Sequence, residues 1–150
     1  MTIEVDNKAF CIRLYTDVVY LKATGHHGKE EAAFFDKTVD QLLLEYEQSR
    51  FASICNFKDL ILSDPIAALE INKSISKIAR KLDYACNAIV IKPKFFEIMK
   101  AYVFSFYLKN INVKTKVFYK ESDAFAWLEE NGFDLKRINQ FVDNEKLKAL

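Results

Sequence analysis

His26 and His27 are the only imidazoles in this 150-residue chain, and Glu30 and Glu31 follow close behind. The residue types suit a metal ion; the spacing does not. Structural zinc takes four ligands at recognisable intervals, and no cysteine lies near this group in sequence. A pair of solvated loop histidines, with no metal, fits better. Cys11, Cys55 and Cys86 are widely spaced and odd in number, which argues against a disulfide framework. Cys55 and Cys86 fall in or beside apolar strands, where lost solvation raises a thiol's pKa and makes it unreactive. No serine or cysteine stands in a G-x-S-x-G turn, and the glycine-rich cradles of dinucleotides and nucleoside triphosphates are missing. The paired carboxylates Glu30-Glu31 and Glu129-Glu130 are adjacent, the pattern of solvated helix faces. These residues predict no catalytic group, no cofactor and no enzyme.

Three other groups of residues point to binding. Ser63 and Asp64 precede Pro65, and proline at the first helical position gives up an amide that lacks a partner anyway. Either residue caps the helix that follows, worth about 1 kcal/mol, or Ser63 takes a phosphate, which a helix N-terminus favours. Lys92, Lys94, Lys120 and His26 are expected around the sheet edge where helices begin; there they serve either an anionic partner or simply the solvated surface. Residues 95–109 are the most apolar stretch. Phe95, Ile98, Met99, Tyr102 and Phe106 fill an inward stripe of about 100°, which leaves Phe96, Val103, Phe104 and Tyr107 over. With Met99, these are the expected wall of a protein interface or an apolar pocket, unless the C-terminal segment covers them.

Composition narrows the class. A chain of this length fits one domain and buries roughly 70% of its unfolded surface. Apolar residues make up 51% and aromatic residues 14%, enough for a packed core. The formal net charge of +1 supplies no field for nucleic acid. No apolar run approaches the ~18 residues of a membrane span, and the first ten residues lack a signal-peptide core. A cytoplasmic protein is expected.

The elements that must position these residues follow from periodicity. Phe10, Ile12 and Leu14 alternate with Cys11, Arg13 and Tyr15, which signals a half-buried strand. A turn at Thr16-Asp17 leads to a second strand over 18–23, so the chain opens with a hairpin that Ile3 and Val5 extend. Residues 24–28, with two of the three glycines, read as a loop. Phe35, Val39, Leu42 and Tyr46 recur at helical spacing. A short strand over 51–57 precedes the helix opened at Asp64-Pro65, whose stripe is Ala68, Ile71, Ile75, Ile78 and Leu82. The run Ala88-Ile89-Val90-Ile91 suits a central parallel strand. After the aromatic helix, Val113, Thr115 and Val117 alternate with Lys114, Lys116 and Phe118. Ser122 offers a cap for a helix carrying Ala124, Phe125, Trp127 and Leu128, and Asn131-Gly132 stops it. The order ββαβαβαβα predicts an α/β fold: a mixed, largely parallel sheet with an N-terminal β-hairpin and four helices over 1–133, then a helical or frayed tail over 134–150.

The closing strand Val117-Phe118 with Ala124-Phe125-Ala126-Trp127-Leu128, the strand 53–57 leading through Lys58-Asp59-Leu60 to Ser63-Asp64-Pro65, and the N-terminal hairpin together resemble the STAS domain family of anti-sigma-factor antagonists. The likeness is to its compact bacterial STAS/SEC14-like, SpoIIAA-like branch, and covers roughly residues 2–133. It implies a non-enzymatic regulatory module with a protein partner or a second copy of itself; the SEC14-like label implies, as the alternative, a carrier or sensor of an apolar acyl chain. Classical members carry a phosphorylated serine in an Asp-Ser-Ser-Gly-like segment. The matching Leu62-Ser63-Asp64-Pro65 lacks the glycine and reverses serine and aspartate, and Asn56 stands where many relatives place an aspartate.

Overall fold

The computed structural model describes residues 2–150, the side chain of Leu62 excepted. Six strands form one sheet in sequence order: β1 (Thr2–Asp6), β2 (Phe10–Tyr15), β3 (Val18–His27), β4 (Arg50–Ser63), β5 (Asp83–Val90) and β6 (Lys114–Phe118). The first three are antiparallel neighbours, and β3 to β6 run parallel. Helices α1 (Lys29–Glu45), α2 (Pro65–Lys81) and α3 (Phe95–Asn110) link the parallel strands; α4 (Glu121–Glu130) and α5 (Lys136–Lys148) close the chain. The expected α/β class and largely parallel sheet are present, with five helices in place of four.

Period-2 alternation sorts the strand residues between two cores. Ile3, Leu14, Phe51, Tyr84 and Val113 pack with Val39 and Leu42 of α1, Ile75 and Ile78 of α2 and Leu108 of α3. Val18, Tyr20, Ala52, Ile54, Cys86, Ala88 and Val90 face Ala124, Phe125, Trp127 and Leu128 of α4 and Ile138 and Val142 of α5. The run 88–91 is apolar throughout because β5 lies between β4 and β6 with helices on both faces.

Several local expectations change. Ile3 and Val5 belong to a separate strand: Asn7 Oδ1 accepts from the amides of Ala9 and Phe10, both at 2.8 Å, and turns the chain back. Residues 24–27 are strand, not loop, and β4 runs on to Ser63, because His26 pairs with Leu62 and His27 with Ser63. Register shifts on either side of Gly25 allow this, and Gly25 sits at φ +78°, a conformation that glycine adopts without a side-chain penalty. Lys58, Asp59 and Leu60 are therefore strand residues. Asp64 caps α2, its Oδ1 accepting from the amide of Ile66 at 2.9 Å, with Pro65 next. Ser122 lies inside α4, whose N-cap is Lys120. Gly132, at φ +89°, ends α4, and the amide of Phe133 returns to the carbonyl of Leu128 at 3.1 Å.

Arg13 is the one buried arginine on the sheet. It donates to the carbonyls of Val5 and Ile12 at 3.2 and 2.9 Å and pairs with Asp6 at 2.6 Å. Its guanidinium carbon stands 4.5 Å from the centre of the Phe141 ring, which ties α5 to β2.

Helices α1 and α2 are joined by Asp36, which accepts from Ser74 at 2.6 Å and pairs with Lys77 at 2.6 Å; Lys77 also reaches Asp40 at 2.6 Å. Lys77 first and then Ser74 hold the Asp36 carboxyl below its ordinary 3.8. A depressed carboxyl pKa stabilises the fold above the unfolded value, and that contribution is lost as pH falls through the folded value. Because the Asp36 side chain is 45% exposed, solvent keeps the contribution small. Asp36→Asn should make the fall in melting temperature between about pH 4 and pH 2 shallower. An acid limb identical to wild type would show that the pair adds nothing.

Candidate functional site

Helix α3 carries the largest departure from a buried stripe. Its inward residues are Ala101, Ser105 and Leu108, with Ile98, Phe104 and Tyr107 half-buried. Phe95, Phe96, Met99, Tyr102, Val103 and Phe106 point outward and are 50% to 71% exposed. The expected stripe is thus largely reversed. Phe95, Met99, Tyr102 and Phe106 face solvent, while Phe104 and Tyr107 turn inward. The missed signal is the spacing of small residues: Ala101 and Ser105 let the helix backbone come close to the sheet, and Leu108 continues that line at i, i+4, i+7.

Phe104 and Tyr107 hold α3 in place. Phe104 meets Phe57 edge-on, ring centres 6.1 Å apart. The Tyr107 hydroxyl donates to the carbonyl of Asn72 at 2.9 Å and contacts the Ser76 hydroxyl, which fixes α3 to α2. Phe96, Met99 and Val103, joined by Phe95, Tyr102 and Phe106, therefore make an apolar outer surface. Helix α5 packs on the opposite side of the sheet through Ile138 and Val142 and does not cover it. Lys92, Lys94, Lys100 and Lys109 are exposed around this helix. None of the four forms an ion pair among the described residues. Lys94 and Lys120 are N-caps of α3 and α4, at the same sheet edge as Asp64.

His27 corrects the loop expectation. It is buried in β3, and its Nε2 lies 3.2 Å from the Ala9 carbonyl and 3.1 Å from that of Thr24. Carbonyls only accept, so this geometry places the proton on Nε2. The Phe10 ring meets the imidazole edge-on at 4.7 Å. His26, its strand neighbour, points to the other face and is exposed. The two rings cannot converge, and Glu31 caps α1 through the Gly28 amide at 3.2 Å. Among the described residues no group of three or more His, Cys, Asp or Glu is placed to hold an ion.

Ser63 is the last residue of β4 and half-buried, while Asp64 supplies the cap. Asn56 is buried within β4, its Oδ1 accepting from the amide of Lys58 at 3.0 Å. The thiols are quiet. Burial pushes Cys55 up to about 12 and Cys11 up to about 11, and raises Cys86 as well.

Between the sheet and α1 to α3 lies a cavity of about 60 Å³, walled by Leu14, Leu21, Phe51 and Phe104 among others, with Ser53, Cys55 and Tyr84 on one side. Ser53 donates to Asn87 Oδ1 at 2.6 Å and touches the Tyr84 hydroxyl; Asn87 Nδ2 is buried without an acceptor. Its volume is well below the ~150 Å³ of an apolar cavity that holds benzene.

No protein-family model matches the chain, and no curated protein matches it in sequence. Solved structures match it in backbone. One is an uncharacterised protein of the DUF3478 family from Shewanella loihica, described as having a SpoIIAA-like fold. It aligns at TM-score 0.63 and 17% identity over 85% of this chain and 98% of its own. The fold is SpoIIAA-like. The anti-sigma factor antagonist SpoIIAA itself, in its unphosphorylated form, aligns at TM-score 0.55 and 15% identity over 83% of this chain and all 100% of its own. The STAS-type architecture implied by the closing strand and helix is thus present. Identities this low establish the fold; activity must be argued from the chain's own residues. Within the SpoIIAA-like frame the outside of α3 carries six exposed large apolar residues on one helix. No helix of the described residues is long and apolar enough to cross a membrane.

Proposed function

We propose that this chain is a non-enzymatic regulatory module of the SpoIIAA-like type that docks a protein partner on the outer face of α3. The observation that carries this reading is the set Phe95, Phe96, Met99, Tyr102, Val103 and Phe106, exposed together on one helix. Contiguous apolar surface of this kind, rimmed by charge, marks interaction sites. The rim sets the partner's chemistry. Lys92, Lys94, Lys100 and Lys109 surround the face, and Glu97 is the only acidic residue of the helix. A groove lined by apolar side chains and edged with aspartate and glutamate complements it, in the helix-in-groove mode. A second copy would set lysines against lysines, so a different protein is favoured. A fold shared with an anti-sigma factor antagonist agrees with a regulatory role.

The test compares immobilised wild type with Phe96→Glu/Tyr102→Glu. Both sites are exposed, so stability should stay within about 0.5 kcal/mol of wild type. A protein held by wild type and lost by the variant is then purified and measured against both. At least a hundredfold weakening, about 2.7 kcal/mol, is expected for loss of two aromatic anchors. An unchanged affinity overturns the docking face. A dimer of the chain that the variant dissolves, or wild type bound to anionic vesicles and the variant not, replaces the protein partner with a second copy or a lipid surface.

A further inference from the structure

At the sheet edge where β3 and β4 begin, away from the N-caps of α2, α3 and α4, a polar surface pocket of about 180 Å³ opens to solvent. Its walls are Thr2 of β1, Thr16 of the β2–β3 turn, Tyr46, Glu47 and Gln48 between α1 and β4, and Arg137 in the first turn of α5. Four separate segments thus bring one guanidinium and one carboxylate, both exposed, to a single surface pocket. Neither Arg137 nor Glu47 forms an ion pair among the described residues, with each other or with any neighbour. Arg137 is nevertheless held, its guanidinium carbon 4.3 Å from the centre of the Tyr15 ring. Stacking of this kind leaves the planar fork of donors free for a carboxylate. Thr16 sits at φ +59° because the two-residue turn closed by the Tyr15–Val18 pair calls for a positive φ at its first position.

The chemistry of the walls selects the ligand. A bare anion would meet the Glu47 carboxylate, and a bare cation would meet Arg137. A molecule carrying both charges on neighbouring atoms satisfies the two at once. The hydroxyls of Thr2 and Thr16 and the amide of Gln48 can take up further polar groups. The volume exceeds the ~150 Å³ that houses benzene and is far below that of a peptide groove. We propose that this pocket binds a free α-amino acid as its zwitterion, the carboxylate on Arg137 and the ammonium on Glu47. The site is independent of the α3 face: its residues lie on other elements, and either assignment can fail without the other.

The intact protein, labelled with nitrogen-15, is titrated with each common L-amino acid up to about 10 mM, a range that detects millimolar affinity. At least one should shift the amides of Thr16, Gln48 and Arg137 saturably. For that amino acid, Arg137→Gln and Glu47→Gln should each raise Kd about tenfold or more, with amide positions elsewhere unchanged as proof of an intact fold. Propionate and ethylamine, each carrying half of the charge pair, should bind at least about tenfold more weakly. No saturable shift with any amino acid overturns the proposal. So does binding that survives both substitutions, or propionate binding as tightly as the amino acid, which would reduce the site to one for anions.

Discussion

Alanine at Trp127 is expected to remove about 3–5 kcal/mol of stability. The indole is only 8% exposed and belongs to the core between the sheet and α4, with Ile54, Val90 and Leu128. Its ring centre lies 5.7 Å from that of Phe118 at the end of β6, and the Lys114 ammonium stands 5.8 Å from it. The residue therefore joins the last strand to the helix that covers it. A domain has roughly 5–15 kcal/mol in total, so the variant should sit near the edge of folding. Urea unfolding should show a lower midpoint with an unchanged slope. A loss within about 0.5 kcal/mol would place the ring at the surface and break the account of how α4 is attached.

Phe51→Ala should cost a similar or larger amount on the opposite side of the sheet, about 3–5 kcal/mol. Phe51 is 1% exposed and meets the rings of Tyr46 and Tyr84 edge-on at 5.7 and 5.1 Å. It also walls the cavity of about 60 Å³, so truncation enlarges a void instead of letting the core collapse, and each added Å³ costs about 24 cal/mol. A second readout follows. The enlarged space should admit benzene, raising the melting temperature of the variant and not of wild type. A small loss of stability with no benzene effect would mean that α1 and α2 settle into the gap and that this core is softer than its packing suggests.

How far these elements can be read from sequence depends on whether local chemistry alone decides them. The alternation over 10–15 has one outcome, because a strand puts successive residues on opposite faces. Asp64-Pro65 likewise acts locally, the Asp64 carboxylate accepting from the Ile66 amide and Pro65 fitting the first helical position. The extra length of β3 and β4 is different. Gly25, His26 and His27 have weak strand character, and they are strand because residues 60–63 lie beside them. The same pairing buries His27 against the Ala9 and Thr24 carbonyls, a role no local pattern announces. The candidate site divides in the same way. That α3 has more apolar surface than one core can use is visible in its composition. Which side faces out is not, because periodicity cannot orient a helix that is apolar on both faces.

By itself the sequence determined the α/β class, the alternation of helices with parallel strands after the opening hairpin, the helix start at Asp64-Pro65 and the stop at Asn131-Gly132. Each of those depends on neighbours within a few residues. Tertiary structure alone decided that six aromatic and aliphatic side chains of α3 stand outside, that α5 lies on the other face, and that Arg137 and Glu47 share a pocket. Residues 47 and 137 line one pocket only because the chain between them has folded, and no pattern local to either one records that closure.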